Sequence, residues 1–122
     1  MSCSFIPASL VVDNSVINEK IQWLYDKTNF KWLFGKNALI KSLTWTVEPI
    51  GSLDGFVTSC RYEEVIRIQL STNQVHVFVD RVEWITENRL FETNAIWRLE
   101  NFNVDEFCRP YIDEIETIIN KA

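Results

Sequence analysis

Six apolar residues arranged around one Thr-Asn dipeptide constrain this chain more than any other feature. If Thr72-Asn73 is a two-residue hairpin loop, Leu70 faces Val75, Ile68 faces Val77 and Ile66 faces Val79. All six side chains then share one face, which is what fixes the register of a half-buried strand pair. The same register sets Glu64 opposite Arg81. Thr-Asn is a weaker turn dipeptide than Asn-Gly, which leaves room for a wider tip. Beyond Asp80 the alternation changes phase: Val82 and Trp84 are out of step with Val75, Val77 and Val79, and a bulge near Asp80-Arg81 would restore the pattern. Upstream, residues 56–70 fit either one long strand with a bulge at Glu63-Glu64 or two strands joined by a tight turn.

The remaining segments supply partners for this hairpin. Leu43, Trp45 and Val47 alternate with Thr44, Thr46 and Glu48, the period of a strand. Residues 5–12 read as a first strand or an extended arm. Asp13 or Asn14 then caps a helix with Ile17, Ile21, Leu24 and Tyr25 on one stripe. The stretch 15–41 reads as two helical pieces, the second re-capped at Asn29 and interrupted at Gly35, and residues 49–55 as loop. Residues 89–100 read as a last strand or strand pair. Asn103 and Glu106 form a capping box for a final helix striped with Phe107, Tyr111, Ile115, Ile118 and Ile119, which Pro110 kinks or divides. The expectation is one α+β domain over residues 1–122: an antiparallel sheet of about five strands, with an N-terminal helical region and a C-terminal helix packed on it.

Charge narrows the function classes. Residues 1–60 carry five acids and five Lys; residues 61–122 carry twelve acids against six Arg and one Lys. The excess of −5 therefore lies in the second half, where it repels nucleic acid and attracts basic proteins. Three scattered cysteines without a C-x-x-C pair suit thiols in a reducing compartment. No stretch resembles a secretory leader or the roughly 20 apolar residues of a membrane span. A cytoplasmic protein without membrane or nucleic-acid partners is expected.

The residues needed for catalysis are sparse. His76 is the only histidine, so any Ser–His–Asp or Cys–His arrangement must use it, and no G-x-S-x-G or H-E-x-x-H surrounds it. His76 and Asp80 share a strand face but stand about 13 Å apart, too far to share a metal ion. Glu63 and Glu64 are adjacent and point to opposite faces, which does not suit a pair of acid–base carboxylates. The three glycines are too scattered for a phosphate loop. The expectation is a non-enzyme that needs no cofactor or metal. Arg61, Arg67 and Arg81 gather on the sheet, where Glu63, Glu64 and Asp80 would neutralise them.

The order of an N-terminal helical region containing KWLFGKNALIKS (31–42), a strand SLTWTVEPIG (42–51), the pair EEVIRIQLSTNQVHVFVDRVEW (63–84) and an acidic last helix resembles the small immunity proteins of bacterial toxin–immunity systems. Those of contact-dependent growth inhibition are nearest in style. The resemblance implies a cytoplasmic inhibitor that blocks the basic active site of a cognate toxin, often a nuclease. On the residues themselves, Glu63, Glu64, Asp80, Glu83 and Glu87 would edge a protein-binding surface, with Trp84 or Trp97 as its aromatic anchor. Two other classes fit the composition. One is a small-ligand-binding or enzymatic α+β roll with an apolar pocket. The other is an acidic, dimeric secretion chaperone.

Overall fold

The computed structural model describes residues 2–5, 7–48, 50–53, 56–86 and 89–121. The order is β1 (Ser2–Ser4), β2 (Ala8–Asp13), α1 (Ile17–Lys27), β3 (Lys31–Leu33), β4 (Ala38–Val47), β5 (Ile50–Leu53), β6 (Phe56–Ser71), β7 (Gln74–Thr86), α2 (Arg89–Glu100) and α3 (Val104–Asn120). All strand pairs are antiparallel. The seven strands fill five lanes. β1 and β2 lie end to end along β7, β6 is central, β4 and β5 lie along β6, and β3 forms the far edge.

The hairpin register is the one the apolar ladder dictates: Leu70 faces Val75, Ile68 faces Val77 and Ile66 faces Val79. The tip is two residues wide, with Thr72 at φ 49 and Asn73 at φ 57, the mirror-image turn whose twist matches the strands. Asn73 bears positive φ more readily than most residues and is also docked. Its Oδ1 accepts from the Asn18 backbone N–H at 3.0 Å, and its own N–H donates to Asn18 Oδ1 at 3.1 Å. β6 is one continuous strand. The irregularity falls on β7, where Val65 pairs with Arg81 and Ile66 with Val79. Asp80 is thus the extra residue, and Glu64 faces Val82 rather than Arg81. The bulge belongs at Asp80 and not at Glu63-Glu64.

Three segments depart from the sequence expectation. Residues 30–41 do not form a second helix: β3 and β4 make a hairpin around Phe34, Gly35 and Lys36, all at positive φ (51, 63 and 77). Asn29 therefore caps no helix. The alternation of β4 is masked by Lys41, which takes an inward position opposite Ile68 and lays its ammonium over the Phe30 ring, 5.9 Å from the centroid. Its aliphatic stem covers apolar surface while the charge keeps a partner. Within 49–55, residues 50–53 form β5 on the edge of β6 instead of a loop. Residues 89–100 are helix, not strand; Leu, Arg, Glu and Ala favour that state.

All three helices lie on one face of the sheet. α1 buries Ile17 and Leu24, and α3 buries Cys108, Ile112, Ile115 and Ile119 against the Ile66–Leu70 and Val75–Val79 ladders. Asn14 Oδ1 accepts from the Val16 N–H at 3.2 Å just ahead of α1; Asp13 is the last residue of β2. Asn103 caps α3, its Oδ1 accepting from the Glu106 N–H at 3.1 Å, and the helix continues through Pro110. At its far end the Lys20 Nζ donates to the Ile119 carbonyl at 3.0 Å, placing a cation on the negative pole of a helix whose last turn has none.

Candidate binding site: an aromatic cleft with a carboxylate floor

Past the Asp80 bulge the helix-side face of the sheet changes character. The inward positions are now Tyr62 and Glu64 on β6, Val82 and Trp84 on β7, and Trp45 and Val47 on β4. Aromatic rings replace aliphatic ladders, and the helices do not seal over them. A cleft of about 370 Å³ opens between this end of the sheet and the junction of α2 with α3, where Arg98, Leu99, Phe102 and Phe107 form the opposite wall.

The sheet wall is a row of touching rings. Tyr62 meets Trp84 at 4.6 Å between centroids and Trp45 at 5.5 Å in an edge-to-face contact, the geometries that ring quadrupoles favour. Across the cleft Phe102 and Phe107 are 4.9 Å apart. Trp45 remains 53% exposed at the rim.

Glu64 forms the floor. It accepts from the Tyr62 hydroxyl on one carboxylate oxygen and from the Tyr111 hydroxyl of α3 on the other, at 3.4 Å. Burial raises the Tyr62 phenol well above its ordinary value, and the hydrogen bond to Glu64 and its charge raise it further. Burial and the Glu64 charge push Tyr111 up to about 12. Both phenols therefore stay protonated and serve as donors. A carboxylate has about four lone-pair positions, so two phenols leave Glu64 with capacity to accept more. Among the described residues lining the cleft the one cation is Arg98, whose guanidinium sits 5.8 Å from the Trp84 ring centroid. None of the ion pairs among the described residues involves Arg98 or Glu64.

The opposite face of the same strands is built differently. Glu63 lies between Arg61, at 3.0 Å, and Arg81. Arg81 also reaches Glu83 at 3.5 Å. Arg67 grips Asp80 with two hydrogen bonds of 2.6 and 2.9 Å and lies 4.4 Å over the Phe78 ring. The acids here are matched by arginines.

The seven residues singled out in the sequence thus do not form one surface. Glu63, Asp80 and Glu83 lie on the open face in ion pairs. Glu64 and Trp84 lie in the cleft on the other side. Trp97 projects from α2 at 61% exposure and does not line the cleft. Glu87 lies outside the described residues. Sequence reasoning missed Trp45, Tyr62, Arg98, Phe102, Phe107 and Tyr111. A signal existed for two of them: Tyr62 is in phase with Ile66 and Ile68, and Trp45 with Leu43.

His76 is on the open face, stacked on Phe78 at 3.7 Å, with Nε2 buried and unpartnered among the described residues. It lies across the sheet from Glu64. Cys60 and Cys108 are buried thiols, and burial raises both above the ordinary thiol range. Among the described residues no group of three or more His, Cys, Asp or Glu could hold a metal ion. Among the described residues no helix is long and apolar enough to cross a membrane. No known protein family, curated protein or solved structure matches the chain.

Proposed function

We propose that this chain is a non-catalytic binding protein of the toxin–immunity kind, which captures and neutralises a basic protein partner, and that its contact centre is the aromatic cleft. The open cleft carries this reading. Rings that could have been covered by a helix are left facing solvent, beside a carboxylate that still has acceptor capacity. Trp and Tyr concentrate binding energy at protein interfaces. An overall charge of −5 favours encounter with a basic surface. The ion-paired open face contributes less, because Glu63, Asp80 and Glu83 there already hold arginines.

The cleft volume also supports a second reading. About 370 Å³ falls within the range of roughly 300–1,000 Å³ used by small-molecule sites, so an amphiphilic amine is the competing occupant.

The test is co-expression with whatever toxic domain the native genome encodes beside this chain; a genome that encodes none there would count against the reading. Growth should be restored, and purified Trp45→Ala and Trp84→Ala should bind that domain at least about tenfold more weakly than the wild type. Absence of association would sink the toxin–immunity reading. Association that ignores both tryptophans would move the contact centre elsewhere.

A further inference from the structure

We infer that the cleft is a receptor for a single cationic side chain of the partner, an arginine or lysine, and that Arg98 is a placeholder which the incoming cation displaces. The inference rests on the protein-binding reading and adds the chemistry of the occupant. Three observations carry it. Trp45, Tyr62 and Trp84 form a continuous aromatic wall, and indole faces are the best side-chain platforms for a cation. Glu64 sits at the foot of that wall, its carboxylate oriented by two phenols that stay protonated. It accepts from no cation among the described residues. Finally, the molecule's own guanidinium, Arg98, already rests over Trp84. It lies on the more exposed side of α2, without a carboxylate partner among the described residues.

A negative floor beneath π faces selects for positive charge and against an anion or a neutral isostere. A planar guanidinium can stack on an indole and at the same time donate N–H groups to the open lone pairs of Glu64. Arg98 competes for the same ring, so it weakens binding while keeping the cleft from standing empty.

The experiment titrates the full chain with Nα-acetyl-arginine amide, following the indole N–H resonances of Trp45 and Trp84 by NMR. Nα-acetyl-citrulline amide serves as the uncharged isostere. Arginine should shift both indoles with a dissociation constant in the millimolar range, citrulline about tenfold more weakly or not at all. Glu64→Gln should weaken arginine binding about tenfold while leaving the remaining spectrum in place. Arg98→Gln should tighten it several-fold. Equal binding of citrulline, no shift up to about 100 mM, or weaker binding in Arg98→Gln would overturn the inference. So would phenethylamine binding about a hundredfold more tightly than blocked arginine, which would mark a small-molecule site. If these arms fail while Trp45→Ala still impairs toxin binding, only the nature of the occupant is wrong. If toxin binding is absent and the arginine preference holds, only the protein-partner reading is wrong.

Discussion

One hairpin, β6 with β7, builds two regions of opposite character on its helix-facing side, divided by the Asp80 bulge. Near the turn, Ile66, Ile68, Leu70, Val75, Val77 and Val79 are all at most 3% exposed beneath α1 and α3. Beyond the bulge, Tyr62, Glu64 and Trp84 are only partly covered and line an open cleft. Branched aliphatic side chains interlock with a helix stripe and exclude water. A row of large rings around a carboxylate cannot close in that way without burying a charge. The near region therefore supplies stability, while the far region leaves an aromatic surface open to solvent.

The largest expected effect falls in the near region. Ile112→Ala should lower unfolding free energy by about 2–5 kcal/mol, since it deletes fully buried volume. Trp45→Ala, at a rim position, should cost about 1 kcal/mol or less in stability while removing partner binding. Similar losses for the two in urea denaturation would break the division.

Thiol chemistry tests the same boundary dynamically. Cys108 is buried in the core beneath α3, and its thiol is pushed up to about 11 by burial, then by the Asp105 charge. Against a starting value of 9.0 this means about a hundredfold less thiolate near pH 8. Cys60 lies at the far end of β6. Mass-resolved labelling of the native protein should modify half-buried Cys3 first, Cys60 next and Cys108 last. Labelling of Cys108 ahead of Cys60 would mean that the packing beneath α3 opens before the far end of β6.

Smaller effects are expected at the turn and on the open face. Asn73→Ala should destabilise by about 1–2 kcal/mol, through loss of its bond to Asn18 and of a residue that tolerates positive φ. Chemical denaturation at fixed pH measures this. His76 is held below its ordinary value by burial, then by the Arg67 charge. Its neutral ring thus contributes stability above the unfolded-state value near 6.5, and that contribution is lost as pH falls through the lowered folded value. Asp80 and Gln69 also face that side of the sheet, but Asp80 is held by Arg67. His76→Phe should flatten the stability profile between about pH 7 and pH 5. An unchanged slope would assign the acid sensitivity to carboxylates.

The near region was legible from sequence because its signal is local: a two-fold apolar alternation about a short turn admits one register. The capped start of α3 was legible for the same reason, since Asn103 and Glu106 carry the whole signal within four residues. The hairpin of β3 and β4 was not. Its alternation is broken by Lys41, and its ten-residue pairing with β6 is a long-range event that overrides local helical periodicity. Residues 89–100 lack a clean amphipathic stripe, so neither period wins in the sequence alone. The cleft was only half legible. Glu64 and Trp84 were singled out, but as members of an acidic edge. Separating them from Glu63 and Glu83 requires knowing where the one-residue phase change falls, and that depends on strand pairing.

That phase change makes the segment from Val79 to Val82 sensitive to parity. Substitutions at Asp80 and Arg81 should be absorbed better than those at buried Val79 and Val82, because the first two side chains stand on the open face. Deleting one residue, or inserting another, would rotate Val82, Trp84 and Thr86 by half a turn and send the cleft's tryptophan to the arginine-covered face. Length, more than chemistry, is therefore what descent must preserve at this point of the chain.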